Sequence, residues 1–397
     1  MMKLGSLFDG SGGFPLGGII AGLTPVWSSE IEPFPIRVTE KRLPSVRHYG
    51  DVSKLNGADL EPVDVITFGS PCQDMSVAGK RAGLDGARSG LFFQAVRIIK
   101  EMRAKYQKPR FIVWENVRGA LSSAGGDDFR RVLEEICNVK KSDVSVPKPE
   151  KWNGSGLIMG DDFSVAWRVL DAQYWGVPQR RKRIYLVTDF DGDSAGKILF
   201  ESEGVSGHSE KMQAARKDFA RCAQGSAGET VGVLNDQGGS SISIEDNLSP
   251  TLRAETHQHL PIVYGLGSYN SEGMKSSNPY SGIYRADTAR TLDINADWRV
   301  RMITPLECAR LQGFPDWWTD GLTDSEPSDA EVRKWQGIFD EYCDINGKKR
   351  KTASQVRKWL MTEPTDAAKY KMWGNGVALP CVVFVLAGIV WAAGEDL

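Results

Sequence analysis

Short apolar runs that break off at glycine or a charged residue recur through the first half of the chain. Residues 4–8, 26–30, 64–68, 111–114 and 184–187 are rich in Val, Ile, Leu, Phe and Trp, and glycine or polar loops separate them. Apolar runs of this length read as buried strands, the pattern of an open α/β sheet. From 189 to 299 the texture changes to many Gly and Ser residues, short alternating segments and few helical patterns, which predicts a second, smaller domain. Further on, Thr304-Pro305-Leu306-Glu307 opens a capped helix, with Thr304 as cap, Pro305 in the first turn and Glu307 closing a capping box. Two more helices are expected at 331–342 and 353–361, inside a stretch at 320–368 that reads as an insertion. Residues 376–394 are uncharged and strongly apolar. A buried helix closing the α/β core is expected there, a membrane anchor being the alternative of equal composition. The start, Met1-Met2-Lys3-Leu4, lacks the apolar run of a signal peptide.

In an open α/β sheet, ligands sit at the carboxyl ends of the strands. Gly69-Ser70-Pro71-Cys72-Gln73 puts Cys72 just past one such end. The thiolate is the attacking form of cysteine, and it needs exposure and an electropositive setting. Residues 76–90 supply that setting with Lys80, Arg81 and Arg88 among glycines. A lone cysteine after a strand is otherwise a small buried hydrophobe. Glu115-Asn116-Val117 closes the strand at 111–114, so Glu115 faces the same crevice; its other role is a carboxylate capping the next helix. At the amino-terminal end, Asp9-Gly10-Ser11-Gly12-Gly13-Phe14 lets backbone approach a cofactor over a helix terminus. That turn serves nicotinamide, flavin and nucleoside cofactors alike. Glu30, at the end of a second strand, can accept from ribose hydroxyls, and Asp51 in Gly50-Asp51-Val52 suits an exocyclic amine or an ordinary turn.

In order, the turn at 8–13, Glu30, Asp51, Pro71-Cys72-Gln73, Glu115-Asn116-Val117, Gln179-Arg180-Arg181-Lys182-Arg183, residues 301–315 and Gly374-Asn375-Gly376-Val377 resemble the motifs of the prokaryotic and phage DNA (cytosine-5)-methyltransferases. The likeness spans nearly the whole chain. It implies an α/β, Rossmann-like S-adenosylmethionine-dependent methyltransferase core with a mixed, mostly parallel sheet, plus a smaller, irregular β-rich target-recognition domain. The implied divisions are 1–190 for catalysis and cofactor binding, 191–316 for target recognition, 317–369 for a helical insertion, and 370–397 completing the catalytic domain.

The resemblance further implies transfer of a methyl group from S-adenosylmethionine to carbon 5 of a flipped-out cytosine in a specific duplex sequence. Cys72 would bond carbon 6 of the ring, and Glu115, protonated in a desolvated pocket, would donate to ring nitrogen 3. Arg183 would hold the base's carbonyl oxygen and position Glu115; Arg181 would hold the loop or a phosphate. For the donor, Phe8 would stack near its adenine and methionine parts and Gly10, Gly12 and Gly13 would admit its amino acid. Glu30 would bind ribose, Ile31 would cover the adenine, Asp51 would take its amine and Val52 would pack beside it. Pro71, Asn375 and Val377 complete that set. Asp9 stands where the family often has a small residue and Gly376 where it often has serine, and both fit backbone contacts. Gln73, Ser76, Lys80, Arg81 and Arg88 would meet DNA from the loop after the nucleophile, which would close over the flipped base. Arg253, Thr256, His257 and Tyr269 are candidates for reading sequence.

Composition agrees with this reading. The 397 residues, 41% hydrophobic, suffice for two compact domains. Net charge is only -2, so positive charge for DNA must be local, at 80–88, at 180–183 and among arginines between 253 and 310. Six cysteines without paired metal-ligand spacing indicate reduced thiols in a cytoplasmic setting. Four histidines offer little for a metal, and none is expected. The expected partners are double-stranded DNA and a cognate restriction endonuclease, with a monomeric protein and no membrane. Rival readings are a catalytically dead DNA-binding protein, an RNA-directed methyltransferase of the same architecture and a nicotinamide oxidoreductase.

Overall fold

The computed structural model describes residues 1–70, 90–200, 232–236, 242–246, 262–263 and 301–395. In chain order the elements are β1 (Lys3–Leu7), α1 (Gly13–Ala21), β2 (Thr24–Ser29), α2 (Pro33–Arg42), β3 (Arg47–Tyr49), β4 (Val65–Phe68), α3 (Leu91–Tyr106), β5 (Phe111–Val117), α4 (Asp127–Cys137), β6 (Ser155–Met159), β7 (Ser164–Asp171), β8 (Lys182–Asp189) and α5 (Ala195–Leu199). Then follow β9 (Gly232–Asp236), β10 (Ile242–Asp246), β11 (Ile262–Val263), β12 (Arg301–Met302), α6 (Pro305–Leu311), α7 (Asp329–Ile345), α8 (Ala353–Met361), α9 (Asp366–Asn375) and α10 (Leu379–Glu395).

The main sheet has eight strands in the order β3-β2-β1-β4-β5-β8-β7-β6. Strands β3 through β5 of that order pair parallel, and β5-β8-β7-β6 alternate antiparallel. Every residue of β4 is buried, because helices cover both faces and leave no polar side for alternation. One face packs Ile66, Ile112, Trp114 and Leu186 against Phe92, Val96 and Ile99 of α3 and Phe129, Val132 and Leu133 of α4. The other packs Leu4, Val65, Val113 and Val187 against Phe14 of α1 and Val382, Val385, Leu386 and Ile389 of α10. Each fully buried aliphatic side chain contributes about 1.5–3 kcal/mol. Strand order reverses at β1, so the crevice of an open α/β fold lies between the carboxyl ends of β1 and β4.

The apolar carboxyl-terminal stretch is a core helix. Leu379, Val382, Val385, Leu386, Ile389 and Ala392 are buried at helical spacing. Val382 sits against Gly17 of α1 so closely that a Cβ there would lie 2.6 Å from its Cγ1. Among the described residues no single helix is long and apolar enough to cross a membrane. The capping box on α6 forms as the sequence dictates, Thr304 and Glu307 bonding each other's backbone. Helices α7 and α8 carry capping boxes of their own, Ser328 with Glu331 and Thr352 with Gln355. Their apolar faces share a small core with Ile36 of α2, built from Val332, Trp335, Phe339, Val356 and Leu360. In the glycine- and serine-rich region, β10-β9-β11-β12 form a second, antiparallel sheet.

Candidate functional site

The glycine turn follows β1 at the switch point. Phe8 (φ 57°), Gly10 (φ 54°) and Gly12 (φ 80°) all take left-handed backbone. At Phe8 this costs on the order of 1–2 kcal/mol, and the surrounding bonds hold the strain. Helix α1 begins at Gly13 with Gly12 as its cap and no side-chain capping bond. No side chain caps the first-turn N–H groups of Gly13 and Phe14, Pro15 having none, which suits them to an anionic group. Val377 seats directly on Gly13, where a Cβ would fall 2.4 Å from its Cγ2. A Cβ on Gly376 would fall 2.8 Å from the Ser11 hydroxyl oxygen, so Ser11 and Gly376 share one space.

Glu30 knits this turn to the end of β2. Its carboxylate accepts from the N–H groups of Gly10 (2.8 Å), Ile31 (2.7 Å) and Glu32 (2.9 Å). Burial pushes the Glu30 carboxyl up, and these N–H bonds pull it back. Asp51 accepts from the Ser53 N–H at 2.8 Å and from its hydroxyl at 2.6 Å, capping a short 3-10 turn, Val52–Lys54. The turn role and the amine-acceptor role are compatible, since each carboxylate oxygen keeps a second lone pair. Ile31 is half-buried beside Glu30, Val52 is buried, and Asn375 is exposed at the end of α9.

Asp9 is the most constrained acid of the turn. One of its oxygens accepts from the Ser6 hydroxyl at 2.8 Å, and the other is buried with no hydrogen-bond partner. Burial raises its carboxyl to about 7, the Ser6 bond opposing and the Glu30 charge adding to the rise. The folded value lies above the unfolded one of about 4, so Asp9 removes stability progressively as pH climbs from about 4 to about 7. Asp9→Asn is therefore expected to gain a few kcal/mol over the wild type between the two ends of that window, read by urea unfolding at each pH. A pH-independent difference would contradict a buried, ionising Asp9.

Glu115 and Arg183 face each other across the β5–β8 pair. Glu115 lies opposite Tyr185 and Val117 opposite Arg183, so Glu115, Arg183 and Tyr185 share one face of the sheet. Glu115 is 8% exposed. Its Oε1 lies 3.3 Å from Arg183 Nε, an ion pair without hydrogen-bond alignment, which leaves Oε1 buried and unbonded. Burial is the larger influence on the Glu115 carboxyl and pushes it up; Arg183 and then Arg181 pull it down. The Tyr185 hydroxyl beside it is also buried without a partner. Arg181 is buried and donates to the carbonyl oxygen of Gly376 and, at 3.5 Å, to that of Gly374. Desolvation pushes its guanidinium down to about 9, with the Arg183 charge adding.

The approach to Cys72 is fixed by residues the sequence reading missed. Ser70 accepts through its hydroxyl from Trp114 Nε1 at 3.2 Å and through its carbonyl from Asn116 Nδ2 at 3.1 Å. A Cβ on Gly69 would lie 3.3 Å from Glu115 Oε2. The chain leading up to Cys72 is thus bonded at Ser70 to the residues on either side of Glu115. Pro71, Cys72, Gln73, Ser76, Lys80, Arg81 and Arg88 lie outside the described residues, as do Arg253, Thr256, His257 and Tyr269. The described cysteines, Cys137, Cys308, Cys343 and Cys381, are all buried. Desolvation raises Cys137 to about 11 and Cys308 and Cys381 further, which makes them poor nucleophiles. No group of His, Cys, Asp and Glu able to hold a metal occurs among the described residues.

Comparison with known proteins bears on family and fold. The chain is 29% identical over 92% of its length to a DNA N-6-adenine-methyltransferase of Escherichia phage P1, and it spans 58% of that protein. It is 28% identical over 79% of its length to the type II methyltransferase M1.ScrFI of Lactococcus lactis subsp. cremoris, spanning 69% of it. The fold matches that of the S. pombe Dnmt2 methyltransferase over 99% of each chain, with a TM-score of 0.57 at 16% identity. The family model described as C-5 cytosine-specific DNA methylase matches residues 2–140 and 158–334. The chain belongs to the C-5 cytosine-specific DNA methylase family.

Proposed function

We propose that this protein methylates carbon 5 of cytosine in a specific double-stranded DNA sequence, with S-adenosylmethionine as donor and Cys72 as nucleophile. The observation that carries this reading is the Ser70 pin, which bonds the chain two residues before Cys72 to Trp114 and Asn116 on either side of Glu115, with Gly69 next to the Glu115 carboxylate. A thiol and a desolvated carboxyl group then serve one base. Cytosine carbon 5 is a poor nucleophile until a thiolate adds to carbon 6. Protonation of ring nitrogen 3 by Glu115 takes up the charge that this addition pushes into the ring, and Arg183 orients both Glu115 and the base. The bound donor supplies an electrophilic methyl group to carbon 5. Loss of the carbon 5 proton to a water base, return of the nitrogen 3 proton to the Glu115 carboxylate and departure of the Cys72 thiolate then restore the aromatic ring.

The described residues fit the donor. The Gly13 and Phe14 amides at the start of α1, uncapped by any side chain, suit its carboxylate, Glu30 its ribose and Asp51 its adenine amine. Phe8, Gly10, Gly12, Gly13, Ile31, Val52, Pro71, Asn375 and Val377 complete the pocket in this reading. The base must leave the duplex stack to be reached, at a cost of a few kcal/mol offset by protein contacts. Gln73, Ser76, Lys80, Arg81 and Arg88 contact DNA there, and Arg253, Thr256, His257 and Tyr269 take part in reading sequence. The same proposal keeps 191–316 as the target-recognition domain and a monomeric, cytoplasmic enzyme, with a cognate restriction endonuclease as partner.

The phage P1 relative carries adenine N6 in its name, and over two fifths of its length lies outside the match. Transfer to an exocyclic amine needs no thiol adduct, so the Cys72, Glu115 and Arg183 set favours cytosine carbon 5. Nucleoside analysis of plasmid DNA incubated with the protein and labelled donor is expected to show label in 5-methylcytosine. Label in N6-methyladenine, or preferential labelling of tRNA over duplex DNA, would overturn the proposal.

A further inference from the structure

The insertion at 317–369 adds no chemistry of its own, yet it is docked on the donor side of the sheet. Arg37 of α2 is buried, and its guanidinium donates to the carbonyl oxygens of Leu322 (2.6 and 3.1 Å), Trp359 (3.0 Å) and Leu360 (2.6 Å) while lying 4.6 Å from the Trp359 ring centroid. With Ile36 in the same small core, this fixes α7 and α8 on the helix that follows Glu30. Lys334 of α7 pairs with Glu40 of α2 at 2.7 Å.

So anchored, α7 delivers Glu341 to the turn that carries Asp51. Glu341 Oε1 pairs with Lys54 Nζ at 2.7 Å. Its Oε2 rests on the Cα face of Gly50, at a point 2.2 Å from where a Cβ would be. The Gly50 carbonyl in turn accepts from the Ser29 hydroxyl at 2.5 Å, and the Glu30 N–H donates to Tyr49 at 3.2 Å. His48 Nε2 lies 3.1 Å from the Glu30 carbonyl oxygen. The two acidic loops assigned to ribose and adenine are therefore one bonded unit, and Glu341 closes it from outside. An exposed Lys–Glu pair contributes little to global stability. Its effect is local, on where Asp51 stands.

We infer that Glu341 is a positioning residue for the methyl donor: the inserted helices set the Gly50–Lys54 turn from outside the pocket. The inference rests on the donor assignment proposed above. Glu341→Ala is expected to weaken S-adenosylmethionine and S-adenosylhomocysteine binding to the full-length, DNA-free protein roughly tenfold, the range of coupling between contacting groups. Gly50→Ala should act in the same direction, because its methyl group displaces the Glu341 carboxylate. The Gly50→Ala, Glu341→Ala pair should be no weaker than the worse single variant, since both undo one contact. Glu341→Gln, which keeps the packing on Gly50, should recover part of the loss. With donor saturating, kcat and duplex affinity of Glu341→Ala should match the wild type, so the change appears in KM alone. Hydrogen exchange of residues 47–57 in the ligand-free protein should speed up in Glu341→Ala at unchanged melting temperature. Wild-type donor affinity in Glu341→Ala, or equal loss of donor and DNA affinity, would overturn the inference while leaving the functional reading intact. A wild-type protein that binds no S-adenosylmethionine would overturn both, with the exchange result still reporting the brace.

Discussion

Cys72→Ala is expected to abolish methyl transfer, by on the order of 10⁴-fold or more, while leaving duplex affinity largely intact. The size follows from what the thiolate does. Without addition at carbon 6, carbon 5 lacks the electron density to attack a methyl group, and none of the cysteines among the described residues is placed to supply the missing bond. Cys137, Cys308, Cys343 and Cys381 are buried. Transfer is read from labelled donor and affinity from a duplex carrying the recognised site. Retained turnover would defeat the assignment of the nucleophile. Loss of duplex binding alongside turnover would point to a structural role for this position.

Glu115→Gln carries the second largest effect. The amide keeps the size and the place on β5 but cannot deliver a proton, so kcat should fall by about 10²–10⁴ with donor affinity unchanged. The wild type adds a pH signature. Burial raises the Glu115 carboxyl, with Arg183 and Arg181 restraining the rise. Because the protonated form is the donor, activity should decline as pH climbs through that raised value, and the residual activity of Glu115→Gln should lack the decline. The substitution also removes the anion facing Arg183, whose side chain is 16% exposed. Leaving that charge unpaired costs stability. Melting curves separate the two effects: a lower melting temperature with unchanged kcat would mean that Glu115 is structural.

The parts of this molecule legible in the sequence are those written in short stretches. Buried strands such as Val65–Phe68 and the first four residues of Phe111–Val117 announce themselves by their largely apolar composition, whereas the extension of the latter through Glu115 and Asn116 does not, and the Thr304–Glu307 box is legible by spacing. The carboxyl-terminal helix is legible as apolar, but only its packing on α1 through Gly17 and Val382 separates a core helix from an anchor. Glu30 stands at the end of β2 where the sequence places it, and Asp51 in a turn, which here follows β3, a strand the apolar pattern does not announce. Their principal partners in the structure are backbone N–H groups and Ser53, which no composition rule supplies.

What the sequence withheld is long-range. Arg37 meets carbonyl groups 285 to 323 residues away, and Lys54 meets Glu341 at a separation of 287. Nothing near either arginine or lysine marks such a contact, because a lone charge on a helix has the same local pattern whether it is solvated or bound. Ser70 is similar: its neighbours Pro71 and Cys72 draw the eye, while the pin to Trp114 and Asn116 emerges only when β4 and β5 pair in register. Asp9 and Gly376, which depart from the residues common in the family, are each matched locally. Asp9 bonds Ser6, and Gly376 leaves room for Ser11.

Covalent capture bears most directly on the proposed chemistry. A duplex bearing 5-fluorocytosine at the methylated position has no proton to lose from carbon 5, so the bond to the enzyme persists once the methyl group has moved. Incubated with this duplex and S-adenosylmethionine, the wild type should give a protein–DNA adduct whose mass includes the methyl group, mapped by peptide mass spectrometry to Cys72 and absent from Cys72→Ala. An intact protein mass with no adduct, or an adduct on any other residue, would contradict catalysis through this thiol.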